Sequence, residues 1–128
     1  MQKRIYKLPQ PPFNNPSDNL AWAMFSGGES IGYEQILVSN SITQLNPPAE
    51  AVWALICVEK QSTYTGTNEI LARFRQDKVI TNTDLTATVG MPLCNFAVVE
   101  IKDVDNLAKI RFIGTDNDIA ILNVEYYA

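Results

Sequence analysis

Apolar and polar residues alternate with a period of two along much of the chain, in short runs separated by glycine, proline, asparagine and aspartate. Alternation of this kind is typical of half-buried β-strands, whose successive side chains point to opposite faces of a sheet. The predicted strands are Gln35–Leu45, Ile70–Arg75, Phe96–Ile101, Leu107–Ile113 and Ile119–Tyr127, with a further candidate at Ala21–Phe25. Turn signals at this spacing favour an antiparallel sandwich or barrel.

The alternation also assigns side chains to faces. The residues predicted to face the core are Ala108, Ile110 and Phe112, then Ile70, Ala72 and Phe74, and in the last strand Ala120, Leu122, Val124 and Tyr126. Phe96 is assigned to the core for the same reason. The basic residues between them, Lys109, Arg111, Arg73 and Arg75, are expected to point outward.

The run Ala51–Glu59 differs from the others because it is apolar at nearly every position. As a strand it must be central and covered on both faces. Its start, Pro47–Glu50, also suits the first turn of a helix, since proline is favoured there and alanine, glutamate and leucine propagate helices. The short run and its β-rich surroundings favour the strand.

The first residues, 1–19, contain four of the seven prolines and form an N-terminal arm distinct from the domain at 20–128. Proline fixes φ and lacks an amide donor, so the arm is expected to be extended. Its apolar residues Ile5, Tyr6, Leu8 and Phe13 need a surface to pack on, either on their own domain or on a neighbouring subunit. The positive charges of Lys3, Arg4 and Lys7 are interpreted first as a solvated strand end, and the alternative is that they dock the arm on an acidic neighbour.

The net charge and the apolar runs of the chain exclude several classes of protein. The net charge is −4, so the chain lacks the excess of basic residues that is typical of a nucleic-acid-binding protein. The longest apolar run is too short to span a bilayer, and the first residues do not form a signal peptide. We therefore expect a protein that folds in a cytoplasm and binds neither nucleic acid nor membrane.

Candidate chemistry is sparse. The chain has no histidine, which removes the most common general base and metal ligand. Cys57 and Cys94 lie among apolar residues and are expected to be reduced and buried, without a metal. A carboxylate pair for glycoside hydrolysis would come from Asp77, Asp84, Glu100 and Asp103. The acidic turns 103–106 and 116–118 supply fewer oxygens than calcium requires, so we interpret them as ordinary turns. No catalytic residue, metal or cofactor is predicted.

Three aromatic residues near loops or chain ends, Trp22, Tyr33 and Tyr127, are candidate interface residues. Aromatic side chains in such places anchor protein interfaces. Together with the acidic turns, they also suit a carbohydrate- or receptor-binding module, which is the alternative function.

Several ordered fragments then point to a family. They are Gln44–Pro48, Ala49–Glu59, Leu71–Arg75, Thr88–Leu93, Leu107–Ile113 and Ile121–Tyr127. In this order, across about residues 35–127, they resemble a group of small virion proteins of tailed bacteriophages. The pattern of that group is an apolar strand, an x-R-F/Y-R strand, a G-M-P/L turn, an R-F-I strand and a closing L-N-V-x-Y-Y strand.

The resemblance implies an all-β protein, an antiparallel jelly-roll-like β-sandwich with an extended arm, that serves as a structural part of the particle. The expected roles are capsid decoration, head fibre or tail-associated protein, without enzymatic activity. Such parts form homo-oligomers, often trimers, assembled in the host bacterial cytoplasm. The arm, which lies outside the matching region, would attach the protein to capsid, fibre or tail components. The stretch 60–68 also departs from the pattern.

Overall fold

The computed structural model describes residues 29–76 and 80–128, which form eight β-strands and one helix. The strands are β1 (Ser30–Val38), β2 (Thr43–Gln44), β3 (Trp53–Lys60), β4 (Ile70–Arg75), β5 (Met91–Cys94), β6 (Val98–Lys102), β7 (Arg111–Gly114) and β8 (Ala120–Tyr127). The helix, α1 (Val104–Lys109), connects β6 to β7. The predicted all-β class is confirmed.

The strands form two four-stranded antiparallel sheets. The strand order is β1-β8-β3-β6 in the first sheet and β2-β7-β4-β5 in the second. Every connection except the one from β4 to β5 crosses from one sheet to the other. Strands that are neighbours in space are therefore mostly distant in sequence, and β1 is paired with β8 along its whole length.

The core lies where apolar side chains of both sheets meet. The predicted core face of β8 is confirmed, because Ala120, Leu122, Val124 and Tyr126 are all buried. In the same cluster they join Phe112 of β7 and other buried residues of the second sheet. The period-two pattern of the last strand thus determines which of its faces is buried in the core.

The apolar run at Ala51–Glu59 forms the central strand β3, as predicted, and the helical alternative is wrong. Ala54, Ile56 and Val58 are fully buried toward the core. The opposite side is covered only in part, because Leu55 and Cys57 are half-buried there. The run is apolar on both faces, but only one of them is closed by the described residues.

The predicted strand Leu107–Ile113 is wrong in its first half, which belongs to α1. Asp103 caps the helix by accepting a hydrogen bond from the amide of Asp105, at 3.4 Å. Leu107 and Ile110, three positions apart, both reach the core, whereas Ala108 is exposed. Arg111 donates to the carbonyl oxygens of Ala108 and Ile110 at the end of the helix, at 2.7 and 2.9 Å. Capping and helical spacing outweigh the local alternation.

Phe96 is also predicted wrongly, because its side chain is 69% exposed rather than buried. It lies in the tight turn from β5 to β6 with φ at 66°, a backbone conformation unusual for phenylalanine. Its amide donates to the carbonyl of Val58 at 2.7 Å, and the amide of Val58 donates to the carbonyl of Ala97 at 2.9 Å. These bonds hold the turn, so the aromatic ring is displayed outward.

The two cysteines are free, as expected, but they are not both buried. Cys57 is half-buried in β3, and Cys94 is exposed in β5. They belong to different sheets. Cys94 is exposed although its neighbours in the sequence are apolar, because β5 is an edge strand.

Two further predictions change in detail. The segment Gln35–Leu45 is not one strand, because residues 39–42 interrupt it and the chain moves from β1 in the first sheet to β2 in the second. In β4 a register shift between Ile70 and Ala72 breaks the alternation, so that Leu71 and Ala72 are both buried. The candidate strand Ala21–Phe25 lies outside the described residues.

A hydrogen-bond network ties the first sheet to the loop that follows β2. The Tyr126 hydroxyl donates to the Glu34 carboxylate, which also accepts from the Asn46 amide at 3.0 Å and side chain at 3.2 Å. Burial, and then the bond to Glu34, raise the pKa of Tyr126 well above its usual value. Nearby, a Cβ on Gly32 would lie 2.9 Å from Pro48, so glycine lets the proline turn approach β1.

Replacing Tyr126 by phenylalanine should lower the free energy of unfolding by about 1–3 kcal/mol, because the half-buried carboxylate of Glu34 loses the hydrogen bond from the tyrosine hydroxyl. The measurement is urea denaturation at neutral pH. The matched control is Tyr33→Phe, which removes an exposed hydroxyl from the same sheet and should cost no more than about 0.5 kcal/mol. Equal losses in the two variants would contradict the network.

Stability should also fall as the pH rises above about 10, the ordinary tyrosine pKa. Below that pH both states keep the Tyr126 proton; above it the unfolded chain releases the proton while the folded chain retains it, which favours unfolding. Tyr64, whose pKa is also raised, acts in the same direction. Melting curves from pH 8 to 11 should therefore show a shallower alkaline decline in Tyr126→Phe than in the parent chain. An identical decline in both would contradict this assignment.

Candidate protein-binding surface

The side of the first sheet that faces away from the core presents one residue in two from each of its four strands. We call this the outer face. Its members are Tyr33, Gln35 and Leu37 of β1; Ile121, Asn123, Glu125 and Tyr127 of β8; Trp53, Leu55, Cys57 and Glu59 of β3; and Val98, Glu100 and Lys102 of β6. The strand register aligns them in rows across the sheet, such as Tyr33, Glu125, Leu55 and Glu100.

Aromatic side chains occupy one end of the outer face. Trp53 and Tyr127 are register partners, and their rings stack with centroids 4.1 Å apart and planes 11° from parallel. Tyr33 lies on the adjacent strand, opposite Glu125. The structure therefore brings together two of the predicted interface residues, Tyr33 and Tyr127, and adds Trp53, which was not among the candidate interface residues.

The middle of the outer face is organised by Asn123. Its side-chain oxygen accepts from the Tyr33 hydroxyl at 2.9 Å and from the Gln35 amide at 2.7 Å. Its side-chain nitrogen donates to the Glu59 carboxylate at 3.0 Å. These bonds join β1, β8 and β3, so the tyrosine and glutamine side chains are held in place before any partner arrives. Such preorganisation lowers the entropy lost on binding.

Exposed apolar side chains lie around this network. Tyr33, Leu37 and Val98 are 56, 46 and 62% exposed. Beyond Val98, the turn between β5 and β6 adds the exposed ring of Phe96. An exposed apolar surface with polar groups interspersed is typical of a protein-binding site.

The charge of the outer face is negative. Glu59, Glu100 and Glu125 stand against one lysine, Lys102, whose ammonium is 3.7 Å from Glu100. The Glu125 carboxylate accepts a hydrogen bond from the Ser30 hydroxyl. A partner that carries positive charge beside apolar groups would match this surface.

The second sheet is different, because the loop 80–90 is fastened to it by outward-pointing arginines. Arg73 donates to the carbonyls of Ala87 and Gly90 at 3.0 and 2.8 Å, and Arg75 donates to that of Asp84 at 3.1 Å. Leu85 of the loop is buried. The outward direction expected for both arginines agrees with these bonds, but their role as loop anchors was not foreseen.

Two open depressions flank this loop. One, of about 380 Å³, is lined by Asn82, Thr86 and Ile113 among others, and the second, of about 420 Å³, is lined by Glu69, Arg73 and Thr88 among others. Neither collects the carboxylates considered for hydrolysis. Asp84 lies in the loop, Glu100 is on the outer face and Asp103 caps α1. Asp77 lies outside the described residues.

The acidic turns serve local structure. Asp103 caps α1, and Asp116 accepts from the Tyr64 hydroxyl at 3.0 Å and from the Asn117 amide at 2.8 Å. Within residues 29–76 and 80–128, no group of three or more histidine, cysteine or acidic residues is arranged to hold a metal ion.

The remaining predicted binding residues cannot be placed on this surface directly. Ile5, Tyr6, Leu8 and Phe13 of the arm, its charges Lys3, Arg4 and Lys7, and Trp22 lie outside the described residues. The outer face is therefore defined by Tyr33 and Tyr127 and by their neighbours across the strands.

Comparison with known proteins identified no matching family model, no matching curated protein and no matching solved structure. In the part of the chain that the structure describes, no helix combines the length and the apolar character needed to cross a membrane.

Replacing Arg73 by glutamine should release the loop 80–90 from the second sheet, because glutamine cannot reach both carbonyls that the guanidinium holds. We expect amide hydrogen exchange in the loop to become at least about tenfold faster, the usual result of lost local protection. The control is Lys102→Gln, since that lysine side chain is 74% exposed. Unchanged exchange in the loop of the Arg73 variant would contradict its anchoring role.

Proposed function

We propose that this chain is a non-enzymatic structural component of a tailed-phage virion, built as a jelly-roll β-sandwich with an N-terminal arm. The observation that carries this proposal is the strand order. The pairs β1–β8, β2–β7, β3–β6 and β4–β5 are those produced when a long hairpin folds over on itself into two Greek keys. Viral capsid proteins and lectins are frequent users of this architecture.

The outer face supports an assembly role. Its exposed apolar residues surround a hydrogen-bonded centre, which suits lasting contact with another protein surface. The protein would form a homo-oligomer, a trimer by the resemblance of its fragments to small virion proteins. Its arm would attach it to capsid, fibre or tail components as a decoration, head-fibre or tail-associated protein. Assembly would take place in the host bacterial cytoplasm.

The full chain should be oligomeric at micromolar concentration when its mass is measured by size-exclusion chromatography with light scattering. Val98→Asp should raise the dissociation constant by about tenfold or more, because it buries a charge in the interface. The matched control is Val104→Asp, an equally simple change at a 53% exposed position on α1, where an acidic residue suits the first helical turn. A stable monomer would count heavily against the proposal.

Location provides a second test of the same proposal. Purified particles of the phage that encodes this chain should contain it at a copy number that fits the particle symmetry, measured by quantitative mass spectrometry. Electron microscopy of the particle would place it on head, fibre or tail. Absence from purified particles would contradict a virion role even if the protein is oligomeric.

A carbohydrate- or receptor-binding module is the alternative, and one observation favours it. The exposed ring of Tyr33 stands beside Gln35 and Asn123, an aromatic surface next to amide groups that can bond sugar hydroxyls. Binding on a glycan array that is lost in Tyr33→Ala would favour this function. Silence on the array, together with a melting temperature that calcium does not change, would remove it.

A further inference from the structure

A partner for the outer face would need two properties at once. It must supply apolar side chains for Tyr33, Leu37 and Val98, which the described residues leave substantially exposed. It must also tolerate or neutralise Glu59, Glu100 and Glu125, which a purely apolar partner would bury at high cost.

The chain itself contains a segment with both properties. Residues 3–13 carry the positive charges of Lys3, Arg4 and Lys7 among the apolar side chains of Ile5, Tyr6, Leu8 and Phe13. Its prolines disfavour a helix, so it would lie on a sheet as an extended chain. Positive charge spaced between apolar groups matches the negative charge spaced between apolar groups on the outer face.

The start of β1 and the length of the chain before it allow the segment to reach the outer face of a neighbouring copy. The amide of Ala128 donates to the carbonyl of Glu29 at 3.2 Å, and Ser30 is the register partner of Tyr127. Glu29 and Ser30 therefore lie at the aromatic end of the sheet, where β1 begins. The 16 residues between Phe13 and Ser30 can span up to about 50 Å, which is enough to reach an adjacent subunit.

We infer that the outer face of one subunit binds residues 3–13 of a neighbouring copy, so that exchanged arms hold the oligomer together. This inference rests on the oligomer of the proposed function and names the surface and the segment that form it. The partner of the arm is then the protein itself, and the apolar residues of the arm are buried without leaving the assembly.

Cys57 offers a direct test because it lies on the outer face, half-buried, between Asn123 and Val98. In the full chain with Cys94→Ser, single cysteines are placed at arm positions by Ile5→Cys, Tyr6→Cys, Leu8→Cys or Phe13→Cys. Oxidised glutathione supplies the oxidant, and non-reducing electrophoresis with mass spectrometry reports the product. Several positions are needed because a disulfide forms only when the two Cα atoms lie within about 7 Å.

A covalent dimer formed through Cys57 at one or more of these positions is the expected result. The matched controls are Cys57→Ser in the same background and Ser17→Cys, a polar position outside the segment. Combining Lys3→Gln, Arg4→Gln and Lys7→Gln should slow cross-linking about fivefold or more, and 0.5 M salt should have a similar effect.

Other products would overturn the inference. A disulfide to Cys57 within a single chain would show that the arm covers its own domain. An oligomer without any disulfide to Cys57 would remove the outer face as the site of the arm and leave the proposed function standing. A monomer without any disulfide would remove both.

The reactivity of the Cys57 thiol provides a second test that needs no cysteine in the arm, so it still applies if the arm variants misfold. In the full chain with Cys94→Ser, the Cys57 thiol should react with a thiol reagent at least about fivefold more slowly than in the variant that also lacks the three positive charges of the arm. Equal rates would contradict the inference.

Discussion

The insertion of the last strand, β8, between β1 and β3 is the constraint on which the rest of the structure depends. Its register partners run from Ser30 to Val38 on one side and from Trp53 to Lys60 on the other. One face of β8 supplies Leu122, Val124 and Tyr126 to the core. Because its partners come from much earlier in the chain, the first sheet cannot be completed until β8 is in place.

The same insertion creates the outer face. Since side chains alternate along each strand, burying Val124 and Tyr126 necessarily turns Asn123, Glu125 and Tyr127 to the other side. Asn123 then reaches both neighbours, and Tyr127 stacks on Trp53. The organised surface and the core are thus two consequences of one register, and a slip of one residue would exchange them.

The two sheets differ in the hydrogen bonds that their outward-pointing side chains make. Guanidinium groups of Arg73 and Arg75 fasten a loop to the second sheet through backbone carbonyls, which the planar, multi-donor geometry of arginine suits well. On the first sheet, side chains bond mainly to one another across the strands. On this surface Asn123 pairs with polar side chains of both neighbouring strands, while Tyr33, Leu37 and Val98 stay exposed.

Prediction from sequence succeeded where the burial of a side chain follows from the alternation within its own strand. The bounds of Ile70–Arg75 and the core face of the last strand were predicted correctly. In the last strand period-two alternation directly reports burial on one side of the sheet, whereas in β4 the register shift leaves Leu71 and Ala72 both buried. It failed at Leu107–Ile113, where the cap at Asp103 and the spacing of Leu107 and Ile110 stabilise a helix. It also failed at Phe96, whose exposure is set by the bonds of its turn to Val58.

Tyr33 and Tyr127 could be selected from the sequence as candidate interface residues, but neither their proximity nor the contribution of Trp53 could. Alternation along one strand determines which side chains share a face, because it needs only the geometry of an extended backbone. Which strands lie side by side depends on how the two sheets close over a common core. Only that closure decides that residues from the start, middle and end of the domain meet on one surface.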